Sequence, residues 1–165
     1  MYSSVLDKKI NNYCKKFDID KVFCDKEFSY YPETDRISYT IIQYTIDDII
    51  IQLINKKYNV DIKPFYFIFS LLHEIGHHMT IDELTEEERE NDLICRQMVI
   101  PYIKDEIEQG KAYINLVAED LATSWAIDYI RNHLEECART QDRFVKIINH
   151  YYKKKSFKKV LTNEL

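Results

Sequence analysis

A chain of 165 residues that is 45% hydrophobic and 31% charged is large enough to bury a core without disulfide or metal staples, which excludes a disordered segment. Its 28 acidic residues outnumber 23 basic ones, a net charge of −5, and this argues against a protein that wraps nucleic acid, since phosphate neutralisation needs a basic footprint. Two glycines and three prolines leave few tight turns, so a mostly helical α+β fold is expected rather than a sandwich or barrel.

The first residues, Met1 to Lys9, lack the apolar stretch of a signal peptide, and no run reaches the ~18 apolar residues of a membrane span. A cytoplasmic protein with no membrane partner is the expectation. From about Ser3 to Phe17, the residues Val5, Leu6, Ile10, Tyr13, Cys14 and Phe17 recur at helical spacing, which predicts a first amphipathic helix. Lys21 to Tyr31 and Arg36 to Tyr44 are rich in aromatic and β-branched residues and flank Pro32-Glu33-Thr34-Asp35, turn chemistry that predicts a β-hairpin. The dense apolar stretch Ile46 to Tyr58 fits a strand or a helix, and its length with the following Asn55-Lys56-Lys57 favours a helix.

Pro64 suits the first position of the next helix, where Ile68, Leu71, Leu72, Ile75 and Met79 form one apolar stripe that should be buried. Thr85 with Glu88 has capping-box spacing, so a helix is expected from Glu86 to about Glu108, kinked or split at Pro101, with Gly110 as a stop. A long helix from about Ala112 to Cys137 and a last one from Asp142 to about Lys154 complete the pattern. Lys153, Lys154, Lys155, Lys158 and Lys159 make a basic tail, read as a solvated end. Cys14, Cys24, Cys95 and Cys137 contain no C-x-x-C pair, so reduced and mostly buried thiols are expected.

The chemistry lies in His73-Glu74-Ile75-Gly76-His77, which is H-E-x-x-H within the apolar-striped helix. Residues four apart share a helix face, so His73 and His77 can offer imidazole nitrogens to one Zn2+. Glu74, turned by about 100° from His73, can reach a water at that metal without ligating it. His78 lies off the metal face and reads as a rim or surface residue. Catalytic zinc takes a third protein ligand and keeps one position open. Glu86, Glu87, Glu88 and Glu90 are more simply a solvated helix start. Glu119 has Ala122 and Ala126 on roughly its own face, where another helix can approach closely; Asp120, His133 and His150 are the alternatives. Trp125 and Tyr129, on regular apolar spacing, read as core.

Leu72-His73-Glu74-Ile75-Gly76-His77-His78, followed by Glu119-Asp120-Leu121-Ala122-Thr123-Ser124-Trp125-Ala126, resembles the ImmA/IrrE-type metallopeptidases of mobile elements and stress responses. Their pattern is H-E-x-G-H and then E-x-x-A-N-x-F-A on a second helix. The resemblance implies zinc ligands at His73, His77 and Glu119, with Glu74 as general base. Covering about the middle third to half of the chain, it also implies a zincin-like fold with a hairpin or small sheet packed on the active-site helix and a second ligand-bearing helix; with no linker in the sequence, one zincin-like metallopeptidase domain is expected over residues 1–165. The implied substrate is a protein, a repressor-type regulator.

Three departures stand out. Thr123 occupies the position of the family's Asn, so a hydrogen bond to a ligand is either lost or made by the hydroxyl, and Trp125 replaces Phe. The stretch from Met79 to Ala118 is also longer than is common in the family. For the oxyanion donor that peptide hydrolysis needs, His133, His150, Tyr151 and Tyr113 are candidates. The competing function is a regulatory or partner-binding protein on a zincin scaffold, against which the intact Glu74 argues, since a structural zinc site needs no base.

Overall fold

A computed structural model of the chain describes residues 3–19, 21–40 and 49–162, with only the backbone described for 3, 4, 151 and 153–162. Among the described residues the fold is mostly helical with a small three-stranded sheet, in line with the mostly helical α+β expectation. Helix α1 spans Ser3–Cys14 and tightens into a 3-10 turn, Lys15–Phe17, that ends on Asp18 in the left-handed region (φ 60°). Strands β1 (Lys21–Cys24), β2 (Ser29–Tyr31) and β3 (Arg36–Tyr39) follow. The predicted hairpin is β2 and β3, antiparallel across the Pro32–Asp35 turn.

Lys21 to Tyr31, however, is two strands. β1 pairs in parallel with β3, giving the order β1-β3-β2, so that Val22 stands beside Ile37 and both are buried. Aligning these apolar residues requires the chain to leave the sheet after Cys24 and return as the opposite edge strand. Residues 41–44 of the second predicted strand and 46–48 of the next helix lie outside the described residues.

Helix α2 runs Ile49–Tyr58. Pro64 sits in a 3-10 turn, Lys63–Phe65, and α3 (Tyr66–Thr80) starts just beyond it. The stripe of Ile68, Leu71, Leu72 and Ile75 is fully buried, but Met79 is 45% exposed because it falls in the last turn, past the core. The stretch Glu86–Glu108 is not one helix. Helix α4 ends at Ile94, a π-turn covers Cys95–Val99, a 3-10 turn covers Ile100–Tyr102, and α5 begins afresh at Glu106 and runs to Ile114. Pro101 withholds an N–H, while Asp105 accepts hydrogen bonds from the backbone N–H groups of Ile107 and Glu108 and starts the new helix.

Gly110 is no stop: it lies inside α5, where a Cβ would come within 2.7 Å of Leu53 on α2. Its small size is needed for that crossing, not for a turn. The helix expected from Ala112 to Cys137 is likewise divided, into the end of α5, then α6 (Val117–Asn132) and the start of α7 (Leu134–Thr162), which absorbs the predicted last helix. The break before α6 is stabilised from outside, since the Asp92 carboxylate accepts the N–H groups of Val117 (3.1 Å) and Ala118 (2.7 Å). Loss of this cap in Asp92→Ala should cost about 1–2 kcal/mol of stability, read as a lowered denaturant midpoint; an unchanged midpoint would show that Asp92 does not hold the helix start.

Cys14 and Cys137 are buried, Cys24 is exposed and Cys95 is half-buried, so only half of the thiols fit the buried expectation; none of the four is in a disulfide. Among the described residues no helix is long and apolar enough to cross a membrane.

Candidate metal centre

Helices α3 and α6 cross where both carry small residues. A Cβ on Gly76 would lie 2.5 Å from the Ala122 carbonyl oxygen and 2.9 Å from its Cα, so the backbones touch there. Ala122 and Ala126 are fully buried, as the alanine-flanked face of Glu119 predicts. Thr80 Oγ1 donates to the Gly76 carbonyl (2.8 Å), which occupies a backbone acceptor close to that contact.

This crossing brings His73 and His77 of α3 to Glu119 in the first turn of α6. His73 Nε2 is 3.0 Å from Glu119 Oε2, and His77 Nε2 is 3.4 Å from Oε1. One ligand atom from each residue lies within 4.8 Å of the others. Ligand atoms held about 2.0–2.2 Å from one tetrahedral zinc stand about 3.3–3.6 Å from each other, close to these separations. Two imidazole nitrogens and a carboxylate oxygen are also the donor set of His2Glu catalytic zinc sites, so the residues fit the ion.

The imidazoles meet nearly at right angles, with centroids 4.7 Å apart. Thr123 Oγ1 lies 3.2 Å from His73 Nδ1, a hydrogen bond that orients the imidazole ring. Glu119 is only 3% exposed. Burial pushes its carboxyl upward, but hydrogen bonds and charge from His73 and His77 outweigh this and hold it well below the usual carboxylate range. Burial pulls His73 down, and Glu119 more than compensates, leaving it raised. Glu74 is buried beside them, and that burial raises its carboxyl against the opposing pull of both histidines and the Tyr30 backbone N–H.

The other candidates go elsewhere. Asp120 faces away from the centre and pairs with Lys57 of α2 at 2.5 Å, while Tyr58 donates to the same carboxylate. His133 packs on Tyr129 at the end of α6, and neither it nor His150 belongs to the cluster found among the described residues. His78 is turned to the hairpin, with Nδ1 2.8 Å from Asp35 Oδ1 and 3.2 Å from the Tyr30 hydroxyl. Trp125 and Tyr129 stack on each other and meet Phe17 edge-on, as core residues do. The side chains of Tyr151 and of the basic tail lie outside the described residues.

A cleft of about 290 Å³ opens beside the cluster, with His73, Glu74, Glu119 and Tyr113 on one side and Phe28, Ile50, Ile54 and Phe69 among its apolar walls. Tyr113 is the oxyanion candidate that lines it. Burial, with Glu119 next, raises its phenol, which keeps the proton it would donate. One functional-looking residue escapes sequence reasoning: Arg96, whose guanidinium donates to Glu119 Oε1. The only signal for it was its spacing of four from Asp92, inside a run that reads as a solvated helix. Compared with known proteins, the chain matches no family model, no curated protein and no solved structure.

Proposed function

We propose that this chain is a zinc-dependent peptidase of zincin-like architecture that cleaves a peptide bond in a protein substrate, a repressor-type regulator, in the cytoplasm. The observation that carries the reading is the convergence of His73, His77 and Glu119 from two helices, with a buried Glu74 and an open cleft beside them. Those three residues hold the ion. Zinc, when bound, supplies Lewis acidity that acidifies a water and polarises a carbonyl.

The protein's own groups do the rest. Glu74 is adjacent in sequence to one ligand and is not itself in the ligand cluster, so its carboxylate is free to accept a proton from the attacking water. A carboxyl raised by burial is better matched to proton transfer near neutral pH than an ordinary glutamate. Thr123 fixes the ring of His73 through Nδ1, which leaves Nε2 for the metal. Tyr113 offers a phenol hydrogen from the cleft wall to the oxygen on which charge develops. The apolar walls exclude water and accept a nonpolar substrate side chain.

Metal analysis of the purified chain tests the assignment. Wild type should bind one zinc per chain, His73→Ala and His77→Ala should lose most of it, and His78→Ala should retain it, because His78 is engaged with Asp35 and Tyr30. Equal zinc content in all three variants would end the reading.

A further inference from the structure

We propose that Arg96 is a positioning residue for Glu119, holding one carboxylate oxygen so that the other is presented to the metal; this rests on the zinc reading of the same site. The ligand helix begins at Val117, and its first turn is gripped from the side by two residues of one neighbouring segment. Asp92 near the end of α4 caps the backbone of Val117 and Ala118, and Arg96 in the following π-turn reaches the side chain of Glu119. Asp92 and Arg96 are four residues apart and thus share a face, so cap and clamp act on consecutive residues of α6. A π-turn is the local irregularity that commonly marks a functional position in a helix, and here it carries the clamp.

The two oxygens have different partners. Oε2 meets His73 at 3.0 Å, while Oε1 takes the guanidinium and stands farther, 3.4 Å, from His77 Nε2. Arg96 spans a steep gradient, its side chain 37% exposed and its partner 3% exposed, so it brings a permanent positive charge from the surface to a buried anion. Glu74 and Glu119 are both buried, and Arg96 offsets the charge of one of these two acids. The guanidinium also sits over the Tyr113 ring at 5.3 Å, a planar contact that a lysine ammonium would make without the matching fork. Arg96 therefore sets the orientation of a ligand on one side and steadies a cleft-wall phenol on the other.

The experiment measures zinc affinity of the full chain by competition with a chromogenic chelator for wild type, R96Q, R96K and H73A, with thermal unfolding of each metal-free form and the absorption spectrum of each cobalt-loaded form. Removing a partner that orients a ligand typically weakens metal binding about 10–100-fold, so R96Q should fall by that much and R96K should recover part of it. The metal-free R96Q should still unfold cooperatively, at a lowered temperature because a buried carboxylate loses its partner, and its cobalt spectrum should shift, which a purely structural role would not produce. R96Q binding zinc as tightly as wild type, or more tightly, would overturn the proposal, the second result identifying Arg96 as a competitor for the carboxylate. Should R96Q fail to fold, R96K decides, since it keeps the charge but loses the fork: wild-type affinity and spectrum in R96K overturn the orientation argument. The two readings separate cleanly. Zinc binding that does not depend on His73 removes the metal centre itself, whereas His73-dependent binding with R96Q unaffected removes only the role of Arg96.

Discussion

Glu74→Gln should leave zinc bound and slow peptide hydrolysis by at least about a hundredfold, the lower end of what general-base catalysis contributes. The substitution preserves shape in a position that is 8% exposed, so packing against the β2 edge and α6 is retained. What disappears is the ability to take a proton, since an amide has no basic oxygen at neutral pH. The ligand atoms of His73, His77 and Glu119 are untouched, which predicts a metal content equal to wild type. Stability should not drop either, because burial disfavours the carboxylate of Glu74 and a neutral amide carries no such cost. Cleavage time courses with a candidate repressor and with an unfolded test protein, run beside zinc analysis, provide the check. A Glu74→Gln variant that cleaves at the wild-type rate would exclude Glu74 as the base. A protein that acts by docking would behave otherwise: neither form would cleave, and partner affinity would survive the substitution.

Gly76→Ala should destabilise the fold and loosen the metal centre together. Alanine is the better helix former by about 1 kcal/mol, so the substitution would be favourable on an open helix face. Here the new Cβ meets backbone atoms of Ala122 at 2.5 and 2.9 Å, and no side chain can rotate away to relieve it. The helices must separate, at the roughly 1–3 kcal/mol that overpacking costs beyond the propensity gain. For a chain of this size that corresponds to a fall in Tm of about 2–12 °C. Because His77 follows Gly76 directly and Glu119 lies three residues before Ala122, separation at this point widens the gap between ligands. Zinc affinity should therefore fall in proportion more than Tm does. A variant with raised Tm and unchanged affinity would mean that the contact yields without cost.

The parts legible in the sequence were those written in local pattern. H-E-x-x-H fixes the geometry of two imidazoles on a helix whatever surrounds it, and alanines flanking Glu119 state that another backbone comes close. The hairpin turn and the capping box at Thr85 are likewise local, and both are present. What stayed hidden depends on partners distant along the chain. Nothing within β1 announces a parallel neighbour fifteen residues later in register. Gly110 looks like a helix stop until Leu53 is placed against it, and the start of α6 looks continuous with the preceding turn until Asp92 is found capping it. Arg96 was invisible for two reasons: a π-turn leaves no periodic signature, and a lone arginine beyond an acidic run reads as solvated.

The Thr123 hydroxyl also bears on which substitutions this chain can tolerate in combination. A threonine is shorter than an asparagine, and its 3.2 Å contact to the His73 ring closes only because α3 and α6 touch at Gly76 and Ala122. Substitutions at positions 76 and 123 are thus expected to be non-additive in a double-mutant cycle. A bulkier residue at the crossing would pull the imidazole out of the threonine's reach and favour a longer amide at 123, whereas an amide introduced beside glycine would be crowded.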